Sequence, residues 1–184
     1  MAQDLAELRK KLEAFRDNPE EDLLQLATTI SITGKALANR TIVDKGIGYT
    51  YSKNRVPAFF MYGKELNASG PSFIERLNKN ATKEDPALTT WGEFRATQGL
   101  QNNHVDLTYT GKMWSGMFPK EAYQQGSKFI APLGHNNREG QQEMNWNFER
   151  YGDFVGKALT GDNLETLGKM AQEELINILK KRNI

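Results

Sequence analysis

The chain has no cysteine, which excludes disulfides, thiol nucleophiles and thiolate metal sites. It has only two histidines, His104 and His135. An excess of charge of one sign is also missing. Lys and Arg number 24, Asp and Glu 23, for a net charge of +1, whereas a sequence-independent nucleic-acid binder carries a basic surplus. No run approaches the roughly 20 apolar residues needed to span a bilayer. Met1-Ala2-Gln3-Asp4 leads into charged residues rather than the apolar segment of a signal peptide. The expectation is a chain made in the cytoplasm with no membrane partner. Neither a phosphate-loop pattern nor a Gly-x-Ser-x-Gly elbow occurs.

What is present is punctuation and periodicity. The 184 residues, 38% of them hydrophobic, suffice for a single α+β domain over 1–184. Leu5, Leu8, Leu12 and Phe15 form a narrow helical stripe, read as an N-terminal docking helix over 3–16. Pro19 and the acidic Glu20, Glu21 and Asp22 open a second helix toward Arg40. Thr28, Thr29, Ser31, Thr33 and Gly34 predict a kink in its middle. Residues 44–48 read as a turn and 49–52 as extended. Two readings of Val56–Tyr62 stand side by side, a buried strand and an exposed docking segment. Residues 63–90 are read as a protruding central loop, too long for a simple connection, with a short helix near 72–77.

Thr90 and Glu93 have capping-box spacing and Gly99 suits a helix end. Val105, Leu107 and Tyr109 alternate with Asp106, Thr108 and Thr110, which predicts a strand with one wet face. Met113–Phe118 is expected to pair beside it across Gly111, and residues 128–134 to form a further strand. Helices are predicted over 136–151, stopped by Gly152, and from a cap at Asp162-Asn163 to the C-terminus. The fold class is therefore α+β: a small antiparallel or mixed sheet packed against N- and C-terminal helices, with an extended central loop.

Three features invite a chemical reading. His104 and Asp106, two apart on a predicted strand, share a face and would be the pair for a metal-dependent hydrolase. Two ligands do not make such a site, so His104 is read as a polar surface histidine and His135 as a turn residue. Glu139 and Glu143 share a helix face, but the Glu-x-x-His partner motif of helical carboxylate metal sites is lacking. The aromatic and methionine residues fit a core or subunit interfaces, where such side chains are enriched. Phe59, Phe60, Met61, Trp114, Met117 and Phe118 are the candidate interface. No catalytic, cofactor-binding or metal residue is assigned.

Four segments, taken in order, resemble phage morphogenesis proteins of the tail-completion or head–tail connector type. They are Asn39-Arg-Thr-Ile-Val-Asp-Lys-Gly-Ile-Gly48 leading to Tyr51-Ser52, Trp91-Gly-Glu-Phe-Arg-Ala-Thr-Gln-Gly-Leu-Gln101, Val105-Asp-Leu-Thr-Tyr-Thr-Gly-Lys-Met113, and Asn147-Phe-Glu-Arg-Tyr-Gly-Asp-Phe154. The long 63–90 segment and the extended N-terminal helix depart from a minimal member. The resemblance implies an α+β structural virion protein, not an enzyme, with no cofactor. Its copies would form a homo-oligomeric ring, sixfold or twelvefold, at the neck or tail end, meeting head to tail. Portal, adaptor or tail-tube proteins would be its neighbours, and DNA would pass through the channel without sequence-specific binding. Its location would be the virion, and the host cytoplasm during assembly. The competing expectations are another minor tail or capsid-associated protein, a DNA-binding packaging factor, and the hydrolase above.

Overall fold

A computed structural model of the chain describes residues 2–17, 19–61, 73–108 and 111–184. The fold is α+β, about 60% helical, with two-stranded antiparallel sheets. In chain order, α1 (Ala2–Asp17) and α2 (Glu20–Lys45) are followed by β1 (Val56–Pro57), a 3-10 turn (Ala58–Met61), α3 (Phe73–Asn78), β2 (Leu88–Thr89) and α4 (Trp91–Thr97). Then come α5 (Lys112–Gly116), β3 (Met117–Pro119), β4 (Tyr123–Gln125), β5 (Lys128–Ile130), β6 (Leu133–His135), α6 (Arg138–Tyr151), α7 (Phe154–Ala158) and α8 (Asp162–Lys181). The chain divides into two compact units, residues 1–40 with 113–184, and residues 41–112.

In the first unit, β3 pairs with β6 and β4 with β5, both antiparallel. Pro132 has no N–H to give a ladder, though its carbonyl accepts the Lys120 N–H at 2.7 Å, and residues 131–132 lie in neither strand. The expected strand over 128–134 is therefore two strands with different partners. Trp114 meets Phe154 edge to face at 6.0 Å, and Phe148 lies 4.6 Å from Phe154. Ala38, Met113, Met117, Met144 and Ile178 are also buried. Lys35 donates from Nζ to the Met117 carbonyl at 2.7 Å. Through the region of the predicted kink, α2 runs as one unbroken helix. Thr28 and Thr29 return their hydroxyls to the carbonyls of Leu24 and Gln25, four residues back, so they are accommodated within a single helix. Asn137 caps α6 through the Gly140 N–H. At α8 the cap position is Gly161, without a side-chain cap, and Asp162 stands in the first turn.

The second unit is built on Ala58, Met61, Ile74 and Phe94, flanked by Val56, Phe73, Leu77, Ala87 and Trp91. The Val56↔Thr89 and Pro57↔Leu88 pairs hold β1 to β2, and the Ala58 N–H extends the contact to the Ala87 carbonyl. The expected central loop lies partly outside the described residues, at 62–72. Its described remainder enters the core, with Ile74 fully buried. The Thr90–Glu93 capping box forms with both of its hydrogen bonds, and Gly99 follows α4 at φ 72°.

Of the predicted strand over 105–110, the described residues 105–108 are not in a strand. Val105 and Asp106 are both buried, so the chain does not alternate, and Leu107 sits at φ 55°, where a strand cannot continue. Tyr109 and Thr110 lie outside the described residues. Its expected neighbour, Met113–Phe118, is instead helix α5 followed by β3.

Candidate functional site

The most heavily bonded polar cluster lies in the second unit. Arg95 points from the buried side of α4 and is 1% exposed, and Asp106 is 2% exposed. The Arg95 Nη2 group reaches both carboxylate oxygens, at 3.0 and 2.8 Å. Tyr51 donates its hydroxyl to Asp106 Oδ1 at 2.9 Å. Gln101 donates to Oδ2 at 2.6 Å and to the His104 carbonyl at 2.8 Å. The Thr108 N–H donates to Oδ1 at 3.0 Å, Arg95 Nε donates to the Gln101 carbonyl at 3.1 Å, and the guanidinium lies 4.8 Å from the Tyr51 ring centre. A buried charge is tolerated when paired and hydrogen-bonded throughout, and this one meets both conditions.

The electrostatics follow from that geometry. Burial alone would raise the Asp106 carboxyl. Hydrogen bonds from Gln101 and Thr108, with the Arg95 charge, outweigh it and hold the group below its ordinary value. Burial pushes the Tyr51 phenol up to about 12, against the Asp106 N–H bond and the Arg95 charge, which lower it. At neutral pH the cluster is an ion pair braced by a neutral phenol. It contains no proton poised for transfer.

His104 does not join Asp106 in a site. Its Nε2 lies 3.0 Å from the Val43 carbonyl, so that nitrogen carries the proton, and its ring packs over Gly46. A Cβ at Gly46 would come within 2.8 Å of that ring, and the residue holds φ 74° at the end of α2. His104 is half-buried, not the surface residue expected. His135, expected in a turn, ends β6 and is 5% exposed. Its Nδ1 accepts the Asn137 N–H at 3.2 Å. A Cβ at Gly116 or Gly140 would overlap its ring, at 2.2 and 2.0 Å.

An open groove of about 540 Å³ lies beside Tyr51, lined among others by Lys53, Arg55, Glu93, Asn102 and Asn103. The Glu93 carboxylate accepts from Thr90 N and the Thr89 hydroxyl, so it is committed to holding the helix start. No group of three or more metal-ligating side chains comes together among the described residues. No helix among them is long and apolar enough to cross a membrane.

The six candidate interface residues divide evenly. Phe59 and Phe60 are 48% and 58% exposed and Phe118 is 38% exposed. Met61 belongs to the core of the second unit, and Trp114 and Met117 are buried in the first. Trp146, an aromatic residue outside the six, is largely exposed on α6, and the Arg95–Asp106 pair went unread in the sequence. An arginine directly after Phe94 on so short a helix was the available signal for the pair, but its partner lies eleven residues on. Comparison with known protein families, with curated proteins and with solved structures finds no match.

Proposed function

We propose that the chain is a structural virion protein of a tailed phage, forming a homo-oligomeric ring at the head–tail junction or tail end around the DNA channel. The observation that carries this reading is the ordered set of four segments that resemble tail-completion and connector proteins. Three of those segments supply Tyr51, Arg95, Gln101 and Asp106, and these four side chains meet in the buried cluster. These polar residues of the resemblance thus serve to fix the chain's path. The fourth segment contributes Phe154 to the apolar core of the first unit. The ring's role would be mechanical: to join portal-side and tail-side parts and keep the channel continuous. Exposed Phe59, Phe60 and Phe118 are the side chains this reading places against neighbouring proteins.

The hydrolase reading is not favoured, because Asp106 is held by Arg95 and His104 by the Val43 carbonyl. Electron microscopy of particles assembled without the protein tests the proposal. Heads and tails that fail to join or stay joined are expected. Normal infectious particles in its absence would overturn it.

A further inference from the structure

Helix α1 is anomalous for its length. It has 16 residues, yet none of its described side chains is buried, although short helices draw most of their stability from packing an apolar face. Leu5, Leu8 and Leu12 are 68%, 41% and 45% exposed. The same unit holds an apolar groove of about 490 Å³, walled by Leu23, Leu26 and Ile30 of α2 and by Phe129 and Ile130 of β5.

The two surfaces match. Leu5, Leu8 and Leu12 are spaced by three and then four residues, and so are Leu23, Leu26 and Ile30. This is the spacing by which one helix seam packs into another. Each run covers about two turns, roughly 10 Å of axis. Antiparallel packing would stack Leu12 on Leu26 and Leu8 on Ile30. It would also set the C-terminal end of α1 beside the N-terminal start of α2, so the helix dipoles favour this direction. Pairing within one chain would have to be made across the two residues that separate α1 from α2, the short limit of helix–helix connections. A second copy meets no such constraint.

We infer that the α2–β5 groove receives α1 of a second copy of this chain, antiparallel to α2. Each copy gives one helix and receives one, so the contact is heterologous and propagates from copy to copy. The inference rests on the ring reading above and names the contact that would build the ring.

The absence of native cysteine makes the test clean. Leu12→Cys and Leu26→Cys are placed singly in two otherwise wild-type chains, mixed and mildly oxidised, and then combined in one chain. The mixture is expected to give the Leu12–Leu26 cross-linked pair at least tenfold faster than either variant links to itself. The doubly substituted chain is expected to give a ladder of covalent multimers under non-reducing conditions. A monomer closed by an internal disulfide would overturn the inference. So would self-linking of Leu12→Cys at the mixed rate, or no link at all despite circular dichroism matching wild type. Rings seen by electron microscopy without the link would defeat this contact and leave the ring reading standing. The link confined to closed pairs would support the contact and defeat the ring.

Discussion

The two units are held together by different chemistry. The first is centred on rings and aliphatic chains, with Trp114 and Phe148 both in contact with Phe154. The second pairs an apolar cluster around Phe94 and Ile74 with a buried Arg95–Asp106 bridge that gathers Tyr51, Gln101 and Thr108. Apolar burial stabilises in proportion to area and has no direction. A buried ion pair gains little net stability over an apolar replacement, yet losing one member is severe. What the pair supplies is position: it fixes residues 51, 101 and 104–108, none of which lies in a helix or strand. The difference teaches that the cluster is a device for locating loops, and it can be broken separately from the core.

The largest effects should come from one truncation in each unit. Phe154→Ala should cost about 3–5 kcal/mol by cavity formation, and Arg95→Ala about as much by stranding a buried carboxylate, both read from denaturant unfolding. Acid should then separate them. The folded Asp106 carboxyl is depressed, so its stabilisation is fully present above about pH 4, the unfolded range, and is lost as pH falls through the folded value. The Arg95→Ala penalty should therefore shrink toward pH 3 while the Phe154→Ala penalty does not, and equal penalties at both pH values would erase the distinction. Next in size is Thr90→Ala, which removes the hydroxyl half of the capping box and should cost about 1 kcal/mol, seen as a lower melting temperature. Tyr51 offers a gentler probe. Its raised value means that its contribution holds below about pH 10 and fades as pH rises toward about 12. Of the six tyrosines, it should be the last or among the last to form phenolate in an ultraviolet titration, and Tyr51→Phe should remove that late phase. The smallest effect on folding should come from Phe60→Ser, within about 0.5 kcal/mol for an exposed side chain. A clear drop in assembly at unchanged melting temperature would mark Phe60 as an interface residue.

How much was legible in the sequence follows the same division. Signals that act within a few residues were readable: the Thr90–Glu93 box, the Gly99 and Gly152 stops, the Leu5–Leu12 stripe and the helix before Gly152. Signals set by distant partners were not. Asp106 reads as the wet face of a strand until Arg95 and Tyr51 are brought to it. Its burial and the positive φ of Leu107 together cancel the two-residue period. The threonine hydroxyls that weaken a helix in isolation bond back to its own carbonyls, and α2 stays unbroken. Trp114 and Met117 look alike in sequence whether they face a core or a partner, and their burial places them in the first unit's core. His104 and His135 acquire their meaning only from Gly46, Gly116 and Gly140, whose missing side chains make room for the rings.

The central claim is that Tyr51, Arg95, Gln101 and Asp106 act as architecture rather than as a reactive site. A double-mutant cycle over Arg95→Met and Asp106→Leu tests it most directly, with unfolding free energy and oligomer mass measured for each variant. The account predicts that each single change destabilises by about 3–5 kcal/mol, and that the double change recovers most of that loss and assembles like the wild type. A double variant that folds as stably as the wild type but no longer assembles would contradict it.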